Sequence, residues 1–352
     1  MDTGVEMSNV PPSVVLALNN GSSSLKFGLY RVGPEDCETL LADKVEVSGA
    51  AGAVAAVKKL LDAHAGPSPE IVGHRIVHGG VKVRDHRTID ASVMAELEAA
   101  AVLAPLHAPP ALAIVRYARA HFGDLPHVAC VDTAFHACMP EVAQIYPLPR
   151  ALRVEGLIRY GFHGLSCESI VRQLAADVPE RLVIAHLGGG CSVTAVRAGR
   201  SIDTSMGLTP SGGVMMASRA GDLDPGLLIY LARAKGLDPD ALEDLIDRRS
   251  GLLGVSGLSA DLRVLRRSAD PAAVLAIAMF EYSVRKQIAA MIAALGGADL
   301  LVFTGGIGEH DAATRTAVHE ALAWAGIGAV RALESRENEM IARHAWMLAP
   351  RR

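Results

Sequence analysis

The sequence predicts an α/β protein built from two related halves. Three observations point there. The chain has 352 residues, half of them apolar, more than a single core of roughly 250–300 residues readily organises. A block of apolar strand, small-residue turn and amphipathic strand occurs twice, in VVLALNNGSSSLKFGLY at 14–30 and RLVIAHLGGGCSVTAV at 181–196. A third glycine cluster, LLVFTGGIGEH at 300–310, follows another apolar strand and opens a helix.

Taken in order, residues 14–18 and 25–30 are strands around the Gly-Ser turn. In the second, Leu25, Phe27 and Leu29 alternate with Lys26, Gly28 and Tyr30, the period-2 pattern of a half-buried strand. Residues 51–65 are Ala-rich with a helical pattern. EIVGHRIVHGG at 70–80 is a buried strand running into a turn, and HVACVDTAFH at 127–136 is a strand whose polar residues gather at its end. Pro140, Pro147 and Pro149 mark a domain boundary within 139–150, since proline interrupts regular elements. The second half repeats strand, turn and strand, then turns at Ala198-Gly199 into a third strand. Phe280, Val284, Ile288, Met291 and Leu295 recur at spacings of four and three, as the core face of a helix does.

Composition excludes several classes. A net charge of −4 and 4% aromatic residues offer neither a basic stripe for phosphate backbones nor a stacking platform for bases. Five dispersed cysteines without a Cys-x-x-Cys pair suit reduced thiols in a cytoplasmic protein, not a disulfide frame or zinc site. Neither a signal peptide nor an uncharged apolar run of about 20 residues is visible.

The glycine-rich turns suit anions. Successive backbone amides pointing one way form an anion nest. In the first turn, Asn19, Ser22, Ser24 and Lys26 surround Gly21 with an amide, two hydroxyls and a point charge. A strand follows this turn where a Walker-type loop needs a helix. The GGIGEH turn differs, because a helix leaves it and would bring free amides beside a ligand. Arg75 sits in an apolar strand, Arg219 in SRAGDLDP, His107 in APLHAPP, His163 in RYGFHG and Asp132 in VDTAFH. A buried guanidinium needs an anionic partner to offset desolvation. Two such arginines with donor histidines suit phosphoryl transfer, where positioning and charge stabilisation do most of the catalysis. Hard oxygen ligands for Mg²⁺ would come from carboxylates, with Asp132 and Glu339 as candidates. GLS at 164–166 is followed by Cys167 and Glu168, so it is no Gly-x-Ser-x-Gly nucleophile elbow.

Ten collinear stretches between about 14 and 310 resemble the acetate kinase family: LNNGSSSLKF, GHRIVHGG, LAPLHAPP, VDTAFHACMP, RYGFHGLS, AHLGGGCS, DTSMGLTP, SRAGDLDP, SGLLGVSGLSADLR and VFTGGIGE. The resemblance implies two duplicated ribonuclease H-like (actin-like ATPase) domains with a nucleotide cleft between them. They would span 1–146 and 147–339, with a helix at 340–352 returning to the first. It implies Mg²⁺-assisted transfer of the ATP γ-phosphoryl group to acetate in a cytoplasmic homodimer. Alternatives on the same scaffold are a propionate or butyrate kinase, and a non-catalytic nucleotide-binding relative.

By resemblance, Asn19, Ser22, Ser24 and Lys26 form the first phosphate loop. Arg75 and Arg219 hold the carboxylate and the phosphoryl group, His163 stabilises the transition state, His107 supports it and Asp132 is the active-site aspartate. Asn19 and Glu339 are linked to the metal. Val77, Leu106, Phe162 and Pro210 line the pocket for the substrate methyl. His186, Gly188, Gly190, Asp261, Leu262, Arg263, Gly306 and Ile307 belong to the nucleotide region. The chain departs from the family pattern at Gly189 and His310, each replacing an asparagine, and is shorter between Gly328 and Asn338.

Overall fold

The structure is a computed structural model, and it describes residues 11–20, 24–46, 49–63, 66–105 and 108–350. Ser22, Leu106 and His107 fall outside the described residues, as does the side chain of Ser24. The chain divides into two units, Met1–Ala137 with Arg336–Arg352, and Cys138–Ser335.

The first unit is built on a six-stranded sheet. Its strands are β1 (Ser13–Asn20), β2 (Ser24–Val32), β3 (Cys37–Glu46), β4 (Ile71–Ile76), β5 (Arg87–Thr88) and β6 (His127–Val131), in the order β3-β2-β1-β4-β6-β5. Strands β1 to β3 are antiparallel, whereas β4 is parallel to both β1 and β6. β1 is central, and its residues from Val14 to Asn20 are all buried, as expected of a strand covered on both faces. On one face, Leu16, Leu18, Leu25, Phe27 and Val72 pack with Val57 of α1 (Gly49–Ala63) and Ile114 of α3 (Ala108–His121). Beside them, Val93 and Leu97 of α2 (Ala91–Ala99) join Ile76, Val83, Val115 and Val131.

The opposite face carries the C-terminal helix, Glu337–Leu348, which buries Met340, Ile341, Ala345 and Trp346. Gly73 permits its close approach: a Cβ there would lie 2.7 Å from Ile341 Cγ2 and 3.0 Å from Ala345 Cβ. The strand expected over 127–136 ends at Val131. The Asp132 N–H makes a last ladder bond to the Ile76 carbonyl at 2.8 Å, and a 3₁₀ turn over Ala134–His136 follows.

The second unit opens with the short helices α4 (Glu141–Gln144) and α5 (Arg150–Val154), then α6 (Gly164–Leu174). Its sheet contains β7 (Arg181–Leu187), β8 (Cys191–Arg197), β9 (Arg200–Thr204), β10 (Leu300–Thr304) and β11 (Ala329–Ala332). Read from β9, the order is β9-β8-β7-β10-β11, with three antiparallel strands and then two parallel additions. That is the order of β3-β2-β1-β4-β6, so the weak repeat in sequence is a full repeat in topology. Ala198 and Gly199 turn β8 into β9 with φ of 46° and 80°, the left-handed pair that a two-residue hairpin needs.

Between the strands lie α7 (Pro225–Lys235), α8 (Pro239–Arg248), α9 (Gly251–Ser256), α10 (Leu262–Leu265) and the 25-residue α11 (Pro271–Leu295). Asp270 caps α11 by accepting from the Ala272 N–H, and Gly296 ends it at φ 75°, the usual start and stop signals. All five residues of the expected apolar stripe are buried on it. Helices α12 (Gly305–His310) and α13 (Ala312–Glu320) follow β10.

The boundary expected at 146/147 lies at 137/138. Residues 138–146 bond into the second unit: Ile145 bridges Ile158, and Tyr146 Oη accepts from the Leu208 N–H at 2.8 Å. At the other end, Glu337–Glu339 belong to the first unit, because the returning helix starts at Glu337 rather than at 340.

Candidate active site

In the first unit, polar side chains gather at the C-terminal ends of β1 and β4, on the face that carries the C-terminal helix. Alternation along β1 turns Asn19 toward that helix while Leu18 faces the apolar core. The Asn19 amide nitrogen donates to Glu337 Oε2 at 2.9 Å and to Asn338 Oδ1 at 3.0 Å. Its oxygen accepts from Arg75 Nη1 at 3.2 Å. Arg75 Nη2 donates to Asp132 Oδ2 at 2.6 Å, and the Asp132 side chain is fully buried. Burial works against the Arg75 charge, but the carboxylates of Asp132 and Glu337 outweigh it and raise its pKa. The buried Nε–H of Arg75 has no hydrogen-bond partner among the described residues. Lys26 stands directly across from Asn19 in the β1–β2 pair and is exposed. Val77, just beyond β4, is buried.

Glu339, the expected metal-linked carboxylate, is turned away from this cluster. It accepts from Arg343 Nε at 2.8 Å and lies 3.9 Å from Arg336. Two helical residues are about 200° of rotation, so Glu337 and Glu339 project to opposite sides. Glu337 and Asn338, which sequence reasoning passed over, occupy the place beside Asn19.

In the second unit, His163 and Arg219 converge. A Cβ on Gly190 would lie 3.2 Å from His163 Nε2 and 3.5 Å from Arg219 Nη1, so the glycine gives these two groups room. His163 has φ 57° and ψ 28° just ahead of α6, a left-handed conformation uncommon outside glycine. Such strain collects at functional positions. Its Nδ1 pairs with Ser192 Oγ at 2.9 Å, and its ring stacks on His186 with centroids 4.1 Å apart and planes 22° apart. Arg219 is buried and donates to the Pro210 carbonyl at 3.2 Å. Phe162 and Pro210 are also buried. Burial pushes the Cys191 thiol up to about 12, against weaker opposing pulls from the Gly188 carbonyl bond and Arg219, so it is no thiolate nucleophile.

Two glycine turns adjoin this pair. The Cβ position of Gly188 is 3.8 Å from the Gly306 nitrogen, whereas those of Gly189 and Gly306 face open space. The amides of the 305–308 turn are not all free, as the sequence suggested, because Glu309 Oε1 accepts from the Gly305 N–H at 2.9 Å. Ile307 is half-buried on the same short helix. Asp261 caps α10, accepting from the Arg263 N–H at 2.8 Å and pairing with its exposed guanidinium at 2.6 Å. Leu262 is buried. Arg266 binds Asp311 at 2.7 Å and Thr314 at 2.8 Å, which sets the 261–266 segment beside the end of α12.

Ser192 was detectable in principle, since alternation along β8 puts it on the face opposite Cys191 and Val193. Arg266 carries no comparable signal, because its partners Asp311 and Thr314 are distant in sequence, and the same holds for the bond from Ser335 to Glu309.

A sequence model of the Acetokinase family matches residues 14–344. An acetate kinase of Rhodopseudomonas palustris is 40% identical over 395 aligned positions, covering 96% of this chain and 98% of that protein. That alignment is longer than this 352-residue chain, so the relative carries segments that the chain lacks. The crystal structure of Porphyromonas gingivalis acetate kinase superposes with a TM-score of 0.84 at 32% identity, covering 96% of this chain and 99% of that one. A propionate kinase from Francisella tularensis superposes with a TM-score of 0.84 at 31% identity, covering 96% and 100%. These likenesses agree with the two repeated sheets, and the chain folds as duplicated actin-like ATPase domains. Family-wide sequence match and whole-chain structural likeness lead to one conclusion: the chain belongs to the Acetokinase family.

Proposed function

We propose that the protein transfers the γ-phosphoryl group of ATP reversibly to acetate, giving acetyl phosphate and ADP. The observation that carries this reading is the half-buried Arg75, which is held by Asp132 and Asn19 with 11% of its side chain still exposed. A guanidinium fixed in this way has a donor left for a small anion.

Acetate is already ionised near neutral pH, so its oxygen needs no general base. Asp132 therefore orients Arg75 and takes no proton. A carboxylate oxygen attacks the γ-phosphorus while the bond to the bridging oxygen of ADP breaks, in line and without a covalent enzyme intermediate. Arg219 and His163 are assigned to the charge spreading over the equatorial oxygens. The turns at 188–190 and 305–308 are assigned to the nucleotide phosphates, with Asp261, Leu262 and Arg263 beside them.

Mg²⁺ fits the donors present. Glu337 supplies a buried carboxylate oxygen, with amide oxygens from Asn19 and Asn338 adjoining it, the hard donors that this ion takes. When bound, the ion would neutralise phosphate charge.

By resemblance, the substrate methyl is assigned to Val77 and Leu106 of the first unit and Phe162 and Pro210 of the second. Propionate is the second reading, supported by the likeness to a propionate kinase. One methylene in an apolar pocket discriminates by only about 1–3 kcal/mol. Exposed apolar side chains on α7 (Leu227, Ile229, Tyr230) and α11 (Val274, Leu275, Met279, Tyr282) favour a homodimer. The five cysteines are thiols, and among the described residues no helix is long and apolar enough to cross a membrane. Both suit a cytoplasmic enzyme.

The test incubates the protein with Mg-ATP and formate, acetate, propionate or butyrate, and traps acyl phosphate with hydroxylamine. Acetate-dependent hydroxamate is expected, with a loss of about 10³-fold in Arg219→Ala. ATP hydrolysis indifferent to every carboxylate would overturn the reading in favour of a nucleotide-binding relative.

A further inference from the structure

The residues around His186 form a relay that the reaction described above does not use. The segment joining β11 to the C-terminal helix is pinned at three successive residues. The Leu333 N–H donates to the Phe303 carbonyl at 3.0 Å, the Glu334 carbonyl accepts from Gln173 at 2.9 Å, and the Ser335 N–H donates to Glu309 Oε1 at 2.9 Å. That same Glu309 oxygen holds the Gly305 N–H at 2.9 Å. One carboxylate therefore keys Ser335 to the glycine turn.

From Ser335 the bonds run inward. Its Oγ–H donates to Ser166 Oγ at 3.0 Å, and Ser166 Oγ is 2.8 Å from His186 Nδ1. Ser166 is fully buried. Its hydroxyl accepts from Ser335, so its own hydrogen is available to Nδ1. An imidazole that accepts at Nδ1 is neutral and carries its proton on Nε2. That Nε2 lies 3.1 Å from the Cβ position of Gly305 and 3.8 Å from that of Gly188, between the two glycine turns. The opposite tautomer would set a lone pair there, which repels a phosphate oxygen.

We propose that Ser335 is a positioning residue which, through Ser166, fixes His186 in its Nε2–H tautomer as a hydrogen-bond donor to a nucleotide phosphate. This rests on the assignment of the 188–190 and 305–308 turns to the nucleotide.

The test uses the full chain with ¹⁵N-labelled histidine, His186→Gln identifying the resonance. Three forms are compared: wild type, Ser335→Ala and Ser335→Thr. Long-range ¹H–¹⁵N correlations report the tautomer, and calorimetric titration with ADP alone reports affinity. Wild type and Ser335→Thr are expected to show the Nε2–H pattern. Ser335→Ala is expected to show mixed tautomers and about tenfold weaker ADP binding, the worth of one charge-assisted hydrogen bond. A single Nε2–H pattern and unchanged ADP affinity in Ser335→Ala would overturn the proposal. So would a Ser335→Thr protein that behaves like Ser335→Ala, since the hydroxyl would then not be the active group. Neither readout needs acyl phosphate formation, so failure of the kinase reading is distinguishable from failure of this one.

Discussion

Exchanging Glu337 for glutamine and, separately, Glu339 for glutamine tests which carboxylate of the C-terminal helix serves the site. Glu337 is 6% exposed, accepts from Asn19 and helps hold the charge on Arg75. Glutamine keeps the volume and an acceptor oxygen but removes the charge. A hydrogen bond to a charged group contributes about 1.5–3 kcal/mol against about 0.5–1.5 for a neutral one. The difference, roughly 1–1.5 kcal/mol, is about tenfold in holding Asn19 and Arg75. On the proposed assignment of Mg²⁺ to this carboxylate, losing its charge adds about 10–100-fold. We expect kcat/KM for acetyl phosphate formation in Glu337→Gln to fall about 10²-fold or more, read as hydroxamate at saturating Mg-ATP. Glu339→Gln removes an i,i+4 pair with Arg343 that is 21% and 10% exposed. The pair lies off the cluster around Asn19, so its loss should lower stability while activity stays within twofold. The reverse outcome, with Glu339→Gln crippled and Glu337→Gln unaffected, would refute the helix-phase argument. Circular dichroism melts of both variants separate this effect from unfolding.

Other substitutions probe the surroundings. Gly190→Ala should lower kcat about 10–100-fold, because the new methyl would sit 3.2 Å from His163 Nε2 and 3.5 Å from Arg219 Nη1; Gly189→Ala, with nothing within 4 Å, should be neutral in the same assay. Gly73→Ala should cost about 1–3 kcal/mol in urea unfolding, since its Cβ would press on Ile341 and Ala345. Acid should destabilise the first unit through His74 and His127, whose rings stack 5.3 Å apart with Nε2 and Nδ1 3.0 Å from each other. Burial first, then His127 and Arg119, hold the His74 pKa well below its ordinary value; burial also lowers that of His127, against its bond to the Phe122 carbonyl. The unfolded chain thus binds more protons, so stability is complete above about pH 6.5 and is lost as pH falls, by up to about 1.4 kcal/mol per pH unit for each imidazole. Urea titrations between pH 7.5 and 5.5 should show this slope, and His74→Leu should flatten it; an equal slope in the variant would count against the pair.

Local signals made the architecture readable. Gly-Ser turns between apolar strands identified β1–β2 and β7–β8, and the spacing of four and three identified α11. Strand β3 went unnoticed because CETLLADKVE mixes charge into both faces. The helices α7 to α10 went unread although α8 spaces Leu242, Leu245 and Ile246 at a helical period; α9 and α10 are too short to show one. Within the candidate site, glycine and arginine motifs were visible because each occupies a short stretch. What stayed hidden were pairings across long separations, such as Asn19 with Glu337 and Ser166 with Ser335. The Glu339 assignment illustrates the limit: a motif gives the neighbourhood of a carboxylate, but helical phase decides which of two faces it occupies.

The first unit is discontinuous, because its covering helix comes after the whole of Cys138–Ser335. During synthesis, β1 to β6 leave the ribosome with one sheet face uncovered and wait while the entire second unit is translated. Gly73 marks the groove that the late-arriving Ile341 and Ala345 must fill. Glu337 and Asn338 arrive with the same helix, so the nascent protein cannot complete its carboxylate cluster before that helix emerges. Covering the sheet and completing the cluster around Asn19 thus depend on one docking event.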